Sequence, residues 1–282
     1  MVNLSKSKNW EKWEECCTDF LNNKFGTYAK FTLKGGSNSK VSDIFVETKS
    51  GNSFYVEVKA SSAQCGQFVL KTDDKTKSFI YSIDNETNIN DQSEKIIQYM
   101  NKHFDTFRDP GRRGIDIDMP NGSDIFKKWV TEYYKSKGVK FFISGHKETG
   151  NFIIFPIDDF SKHFDIKATY RIKKSGSSTV PKSHFKSVRK FLLSSNNYEI
   201  TDLYMDGKKL FATSKKDLDK KIFKTPDFKY DYRFSYKDAS KYEIRKLSNT
   251  NNENIIFSIH LIDSVPGISD TNFTNCLMSC DK

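Results

Sequence analysis

No stretch of the 282 residues approaches the roughly 20 consecutive apolar residues that a membrane-spanning helix needs. The opening segment MVNLSKSKNWEKW lacks the apolar core of a secretory signal. The five cysteines, at 16, 17, 65, 276 and 280, are odd in number and irregularly spaced. Adjacent Cys16 and Cys17 are poorly placed to bridge each other, so reduced thiols are expected. Cys276 and Cys280 could pair, but no histidine cluster accompanies them, which argues against a zinc site. The five histidines (103, 146, 163, 184 and 260) show no HxxxH or other metal spacing. Lys34-Gly35-Gly36-Ser37 lacks the spacing of a Walker-type phosphate loop, and no G-x-S-x-G elbow is present. A soluble, cytoplasmic protein is expected, without an ATP-driven motor or a serine-hydrolase elbow.

What the chain does have is enough apolar material for a core. Hydrophobic residues make up 36% and aromatics 14%, which excludes global disorder. Lysine and arginine outnumber acids by 46 to 36, a formal net charge of +10. Such an excess favours a polyanionic partner, because each neutralised phosphate releases condensed counterions. A lysine-rich composition can equally reflect an AT-rich genome, so charge alone decides little. The length suits one large domain or two modest ones. The character shifts near residue 165, which suggests a core over 1–165 and a β-rich region over 166–282, unless the two are continuous.

Hydrophobic spacing predicts a helix over 9–24, with Trp10, Trp13, Cys17, Phe20 and Leu21 on one face and Glu14 on or beside it. Alternation predicts strands over 28–33, 41–48, 53–59 and 66–71, with Lys49-Ser50-Gly51-Asn52 as a hairpin turn. Helices are expected over 90–104 and 123–137, a strand pair over 140–144 and 151–156, and a short helix or turn over 158–164. Beyond these, strands are expected over 166–174, 229–236, 242–247 and 255–262, with a helix over 184–193 and a small-residue loop over 175–181. The expected fold is α/β, a mixed central β-sheet flanked by helices with an additional β-rich region.

The chemistry lies in Ser42-Asp43-Ile44-Phe45-Val46-Glu47 and Phe54-Tyr55-Val56-Glu57-Val58-Lys59. An aspartate opens one strand and a Glu-x-Lys closes the next. Strand alternation puts Glu57 and Lys59 on one face, with Val58 opposite. Hairpin pairing brings the start of the first strand beside the end of the second, so Asp43 should approach Glu57 and Lys59. Two carboxylates can hold a hard cation such as magnesium through oxygen ligands, and the Val58 carbonyl could supply another. Such an ion polarises a phosphate and acidifies a bound water. Lys59 could position or activate that water, or stabilise charge on the phosphorane. A solvated hairpin with alternating charges would show the same letters.

Asp43 followed across a hairpin by Glu57-Val58-Lys59 resembles the catalytic signature of the PD-(D/E)xK nuclease superfamily, over roughly the first quarter of the chain. Ser42 stands where that superfamily usually has proline. The resemblance implies that Asp43 and Glu57 are metal ligands, that Lys59 is the catalytic lysine, and that Glu14 on the preceding helix is an auxiliary acid. It further implies a magnesium-dependent type II restriction endonuclease that cuts double-stranded DNA at a short specific sequence. A homodimer is expected, since two-fold symmetry cuts both strands of a palindrome most simply. A partner DNA methyltransferase protecting the host follows from the resemblance alone.

DNA contact is expected first from Thr169–Lys182, where Arg171 and Lys173 alternate on one strand face. Lys174, Ser175, Ser177, Ser178 and Lys182 follow in a loop of small donors that could approach a backbone or groove. Arg112 and Arg113, in a Pro-Gly-Arg-Arg-Gly loop, could enter a minor groove. Gln64 and Gln67, just past the Glu-x-Lys strand, could contact a phosphate or orient water. Two rival readings stay open. One is a repair, junction-resolving or phage nuclease using the same three residues. The other is a non-catalytic DNA-binding protein whose hairpin charges are incidental.

Overall fold

Trp13, Cys17, Leu21 and Phe25 recur every four residues, and in the computed structural model they line the buried face of helix α1 (Asn9–Phe25). The structure describes residues 9–35, 41–111, 113–146, 151–262 and 264–279. Strands β1 (Ala29–Leu33), β2 (Ile44–Thr48), β3 (Ser53–Ala60), β4 (Ser62–Asp73) and β5 (Ser78–Tyr81) come next. Helices α2 (Asp91–Lys102) and α3 (Phe104–Phe107) precede the short strand β6 (Ile115–Asp116) and helix α4 (Gly122–Ser136). Strands β7 (Val139–His146) and β8 (Asn151–Pro156) lead through α5 (Phe160–His163) into β9 (Phe164–Lys174). The remainder comprises β10 (Ser177–Thr179), α6 (Phe185–Ser194), β11 (Ile200–Asp206), β12 (Lys209–Ser214), β13 (Ile222–Lys224), β14 (Asp231–Asp238), β15 (Lys241–Leu247), β16 (Asn251–Leu261) and α7 (Asp270–Met278).

Two compact units result. The larger holds residues 9–172 and 253–282, and the smaller holds 173–252. A single cut near residue 165 therefore does not describe the chain. The reason is strand pairing: β16 returns to lie antiparallel to β4, with Ile255 opposite Phe68 and Ile259 opposite Ala63. That pairing draws the C-terminal residues back to the larger unit.

The central sheet of the larger unit runs β1-β2-β3-β7-β8. Strands β3 and β7 are parallel and the other neighbours antiparallel, so the sheet is mixed. One face packs on α1 and α7 through Val56, Val58, Ile143, Phe273 and Leu277. The other packs on α4 through Phe142, Phe155, Trp129 and Tyr134. Each such side chain, fully buried, contributes about 1.5–3 kcal/mol. A second sheet, β5-β4-β16-β9-β6, closes the same core. The architecture is the expected α/β one. No helix among the described residues is long and apolar enough to cross a membrane. Cys16, Cys17, Cys65 and Cys276 are free thiols, while Cys280 lies outside the described residues.

The smaller unit is a six-stranded sheet, β11-β12-β15-β14-β13 with β10 also on β15. Val188 and Leu192 of α6 pack on its Phe223, Phe234 and Ile244. The small-residue loop expected over 175–181 is corrected here: Ser177–Thr179 pair with Arg245–Leu247, a backbone ladder that needs no apolar side chains.

Candidate active site

The β2–β3 register places the key residues. Ile44 lies opposite Val56, so Asp43 sits just beyond the last β2–β3 pair, where β3 continues with only β7 beside it. Its carboxylate then replaces the missing strand. Asp43 Oδ2 accepts the Val58 N–H at 2.9 Å. Val56 and Val58 face α1, and Glu57 and Lys59 turn towards α4.

Lys59 is held from several sides. Its Nζ donates to Glu57 Oε1 at 2.5 Å and to the Val58 carbonyl at 3.2 Å. It also sits 5.4 Å from the centroid of the Tyr134 ring. The two ion-paired side chains are only 12% and 6% exposed, for Lys59 and Glu57 respectively. From α1, the Trp13 indole N–H reaches the Lys59 carbonyl at 3.5 Å.

Gly35 shows how Glu14 joins the site. A Cβ at Gly35 would come 2.5 Å from Glu14 Oε2 and 3.0 Å from Asp43 Oδ1. The two carboxylates thus flank a cradle that only glycine leaves open. The Asp43 carbonyl accepts the Lys34 and Gly35 amides at 2.7 and 2.9 Å, which fixes the loop over the cradle.

Crowding three acids has an electrostatic cost. Burial, with the Glu57 charge adding to it, pushes the Glu14 carboxyl up to about 7, and Lys59 only partly offsets this. Burial and the Glu57 charge hold Asp43 well above the usual carboxylate range. Burial works against the Lys59 ammonium, but Glu57 and Asp43 outweigh it and raise its pKa above the ordinary lysine value. The Glu57 and Asp43 charges thus favour the ammonium form of Lys59, which suits it to holding negative charge. Beneath it, burial pushes the Cys65 thiol up to about 12 and Tyr134 well above its ordinary value.

The donor set suits a hard divalent cation. The carboxylates of Glu14 and Asp43 flank the Gly35 cradle, and Glu57 and the Val58 carbonyl, both now bonded to Lys59, are the other oxygen donors nearby. As they stand, no three His, Cys, Asp or Glu side chains among the described residues are set around one ion position. Glu57 turns instead to Lys59, so binding an ion would exchange that pair for a metal bond.

The expected DNA-contacting residues divide between the two units. In the larger, Gln64 donates to Gln67 on the exposed side of β4 at 3.1 Å. The Arg171 stem packs so closely on Gly114 that a Cβ there would meet its Cγ at 2.3 Å. Exposed Arg113 precedes that glycine in the chain, just ahead of the β6–β9 pair. Arg112 lies outside the described residues. In the smaller unit, Lys174 faces Asp231 at 3.8 Å. Ser175 bonds Ser248 and Thr250. The Ser177 carbonyl accepts from Arg245 at 2.8 Å. Ser178 lies opposite Lys246, and Lys182 opens the short turn before α6. Lys173 begins the smaller unit.

Sequence reasoning missed Gly35, Tyr134 and Cys65. Only the Gly-Gly pair ahead of Asp43 carried any signal. Tyr134 and Cys65 carry none, because their places beside Lys59 are set by packing.

The layered mixed sheet, with acids and a lysine gathered at one hairpin, defines a restriction-endonuclease-like fold. A solved structure titled HhaI endonuclease in complex with DNA matches the chain with TM-score 0.76 and 34% identity, over 95% of this chain and 98% of that one. The chain belongs to the family of the HhaI endonuclease. No protein-family model matches the chain, and no curated protein does.

Proposed function

We propose that this protein is a magnesium-dependent type II restriction endonuclease of the PD-(D/E)xK kind, cutting double-stranded DNA at a short specific sequence. The observation that carries the reading is the cradle at Gly35, where Glu14 and Asp43 converge beside the Glu57–Lys59 pair. Kinship with an endonuclease solved on DNA supports it. So does the net charge of +10.

Asp43, Glu57 and the Val58 carbonyl would hold the magnesium ion, with Glu14 behind them as an auxiliary acid. Bound there, the ion would supply Lewis acidity at the scissile phosphate and an acidified water. The Val58 amide bonded to Asp43 supports that role by fixing the carboxylate. Lys59, released from Glu57, directs its ammonium at the phosphate oxygens as charge develops. Tyr134 and Cys65 exclude water beneath it and keep that charge in a low-dielectric setting. The exposed glutamines of β4, Arg113, Arg171 and the 173–182 segment are the proposed DNA contacts. A homodimer cutting a palindrome, and a partner methyltransferase protecting the host, complete the proposal.

Digestion of methylation-free plasmid with magnesium, followed by sequencing of the ends, tests it. Discrete fragments sharing one sequence at their ends are expected from the wild type, and none from Lys59→Ala. Wild-type protein that binds the plasmid but never cuts it, with any of several divalent metals, would sink the reading.

A further inference from the structure

Strands β14 and β15 place two arginines directly opposite each other. Arg233 pairs in register with Arg245 across the antiparallel ladder, so both side chains leave the same face of the sheet. The opposite face is the core face, carrying Tyr232, Phe234, Tyr242 and Ile244. Like charges directly opposite destabilise a strand pair, so an arrangement of this kind calls for an anion.

The acids beside the pair, Glu243 and Asp231, already face other cations. Glu243, on the Arg245 face and only 2% exposed, has both oxygens engaged. Its Oε1 accepts from Arg245 at 2.7 Å and its Oε2 faces Lys237 at 3.1 Å. Asp231, two residues before Arg233, faces Lys174 at 3.8 Å. Lys224 stands opposite Asp231 in the β13–β14 register. Among the described residues Arg233 has no ion-pair partner within 4 Å.

Arg245, by contrast, is aimed. Its Nη1 is tied to Glu243, its Nη2 donates to the Ser177 carbonyl at 2.8 Å, and its Nε points to Ser177 Oγ at 3.4 Å. A guanidinium held on a buried carboxylate loses little side-chain entropy when it meets a ligand. Ser177, which accepts from Arg245 through its carbonyl and its hydroxyl, belongs to the segment expected from the sequence to contact DNA.

We propose that Arg233 and Arg245 form a DNA-contacting pair of the smaller unit, with Glu243 as the positioning residue for Arg245. Resting on the nuclease reading, this assigns the pair to paired acceptors of DNA. Those acceptors are phosphate oxygens or the O6 and N7 of guanine.

The test uses the full chain. Wild-type fragment ends define the cut sequence, and a 30-base-pair duplex carrying it is compared with one lacking it. Both are titrated with Asp43→Asn protein, alone and combined with Arg233→Gln or Arg245→Gln. Each glutamine is expected to weaken binding to the site duplex about 10-fold. If guanine is the target, the duplex lacking the site is unaffected and Arg→Lys fails as glutamine does. If phosphate is the target, both duplexes weaken, the salt slope falls by about 1 per arginine, and Arg→Lys retains most binding. Glu243→Gln raises KM for the plasmid several-fold with kcat unchanged, which a merely structural role would not separate. Should either glutamine variant lose its thermal transition, the lysine variant at that position gives the reading. Glutamine variants that melt as wild type, bind both duplexes as wild type and give wild-type fragments overturn the proposal. If the wild type cuts no plasmid, the nuclease reading fails separately. A mixed-sequence duplex then tests the pair, which stands if the glutamine variants bind it more weakly and falls if they bind it equally.

Discussion

Lys59 and Glu57 share one face of a strand and meet at 2.5 Å, each almost sealed from solvent. Removing one partner of a buried pair strands the other. Lys59→Ala is expected to lower metal-free stability by about 3 kcal/mol. A divalent ion should restore most of that loss by taking over Glu57, without restoring cutting. Thermal melts with EDTA and with magnesium, run beside plasmid digestion, separate the two effects.

Glu14 and Asp43 set the pH dependence of the metal-free protein. Both carboxyls have folded-state pKa values above their ordinary ones, with Glu14 up to about 7. The native state therefore binds protons more tightly than the unfolded one. Stability from these groups is fullest below the ordinary carboxylate range and falls as pH rises towards 7. Melting temperature in EDTA should drop across that window. Asp43→Asn should flatten the drop and raise the melting temperature at pH 8, while abolishing cutting.

Gly35 guards the cradle by having no side chain. Gly35→Ala would bring a methyl 2.5 Å from the far end of Glu14, a flexible carboxylate that can swing away. Folding should survive, with a loss of about 1 kcal/mol or less. Cutting should fall about 10-fold or more if Glu14 assists the ion. A loss equal to that of Asp43→Asn would show instead that the loop over the site had been displaced.

Magnesium itself should stabilise the fold. An ion that binds only the native state raises stability with the logarithm of its concentration, by about 2.7 kcal/mol at one hundred times Kd. Differential scanning calorimetry over a magnesium series should show that rise in the wild type and its absence in a variant carrying both Asp43→Asn and Glu57→Gln.

The hairpin that carries the site was legible because its signals are local. Alternation in Ile44–Thr48 and Ser53–Ala60, with a polar four-residue turn between, fixes the pairing and hence Asp43 beside Val58. Strand β4, Ser62–Asp73, runs beyond the expected 66–71 at both ends. Ser62-Ala63-Gln64 looks like a polar loop, yet the β16 ladder extends the strand over it. The β11–β12 hairpin has no counterpart among the expected elements, although Asp206-Gly207, with Gly207 at φ +57°, is a strong turn signal. Helix α7 buries only Phe273 and Leu277, too few apolar positions to announce a period. The Arg233–Arg245 pair and its Glu243 seat depend on register between distant strands, which no local pattern encodes.

The most direct measurement is a crystal structure of the wild-type protein soaked in manganese, with anomalous data collected. The account predicts one strong peak at about 2.0–2.6 Å from oxygens of both Asp43 and Glu57, with Lys59 turned off Glu57. A peak bound elsewhere, with the Glu57–Lys59 pair intact and Asp43 bare, would contradict it.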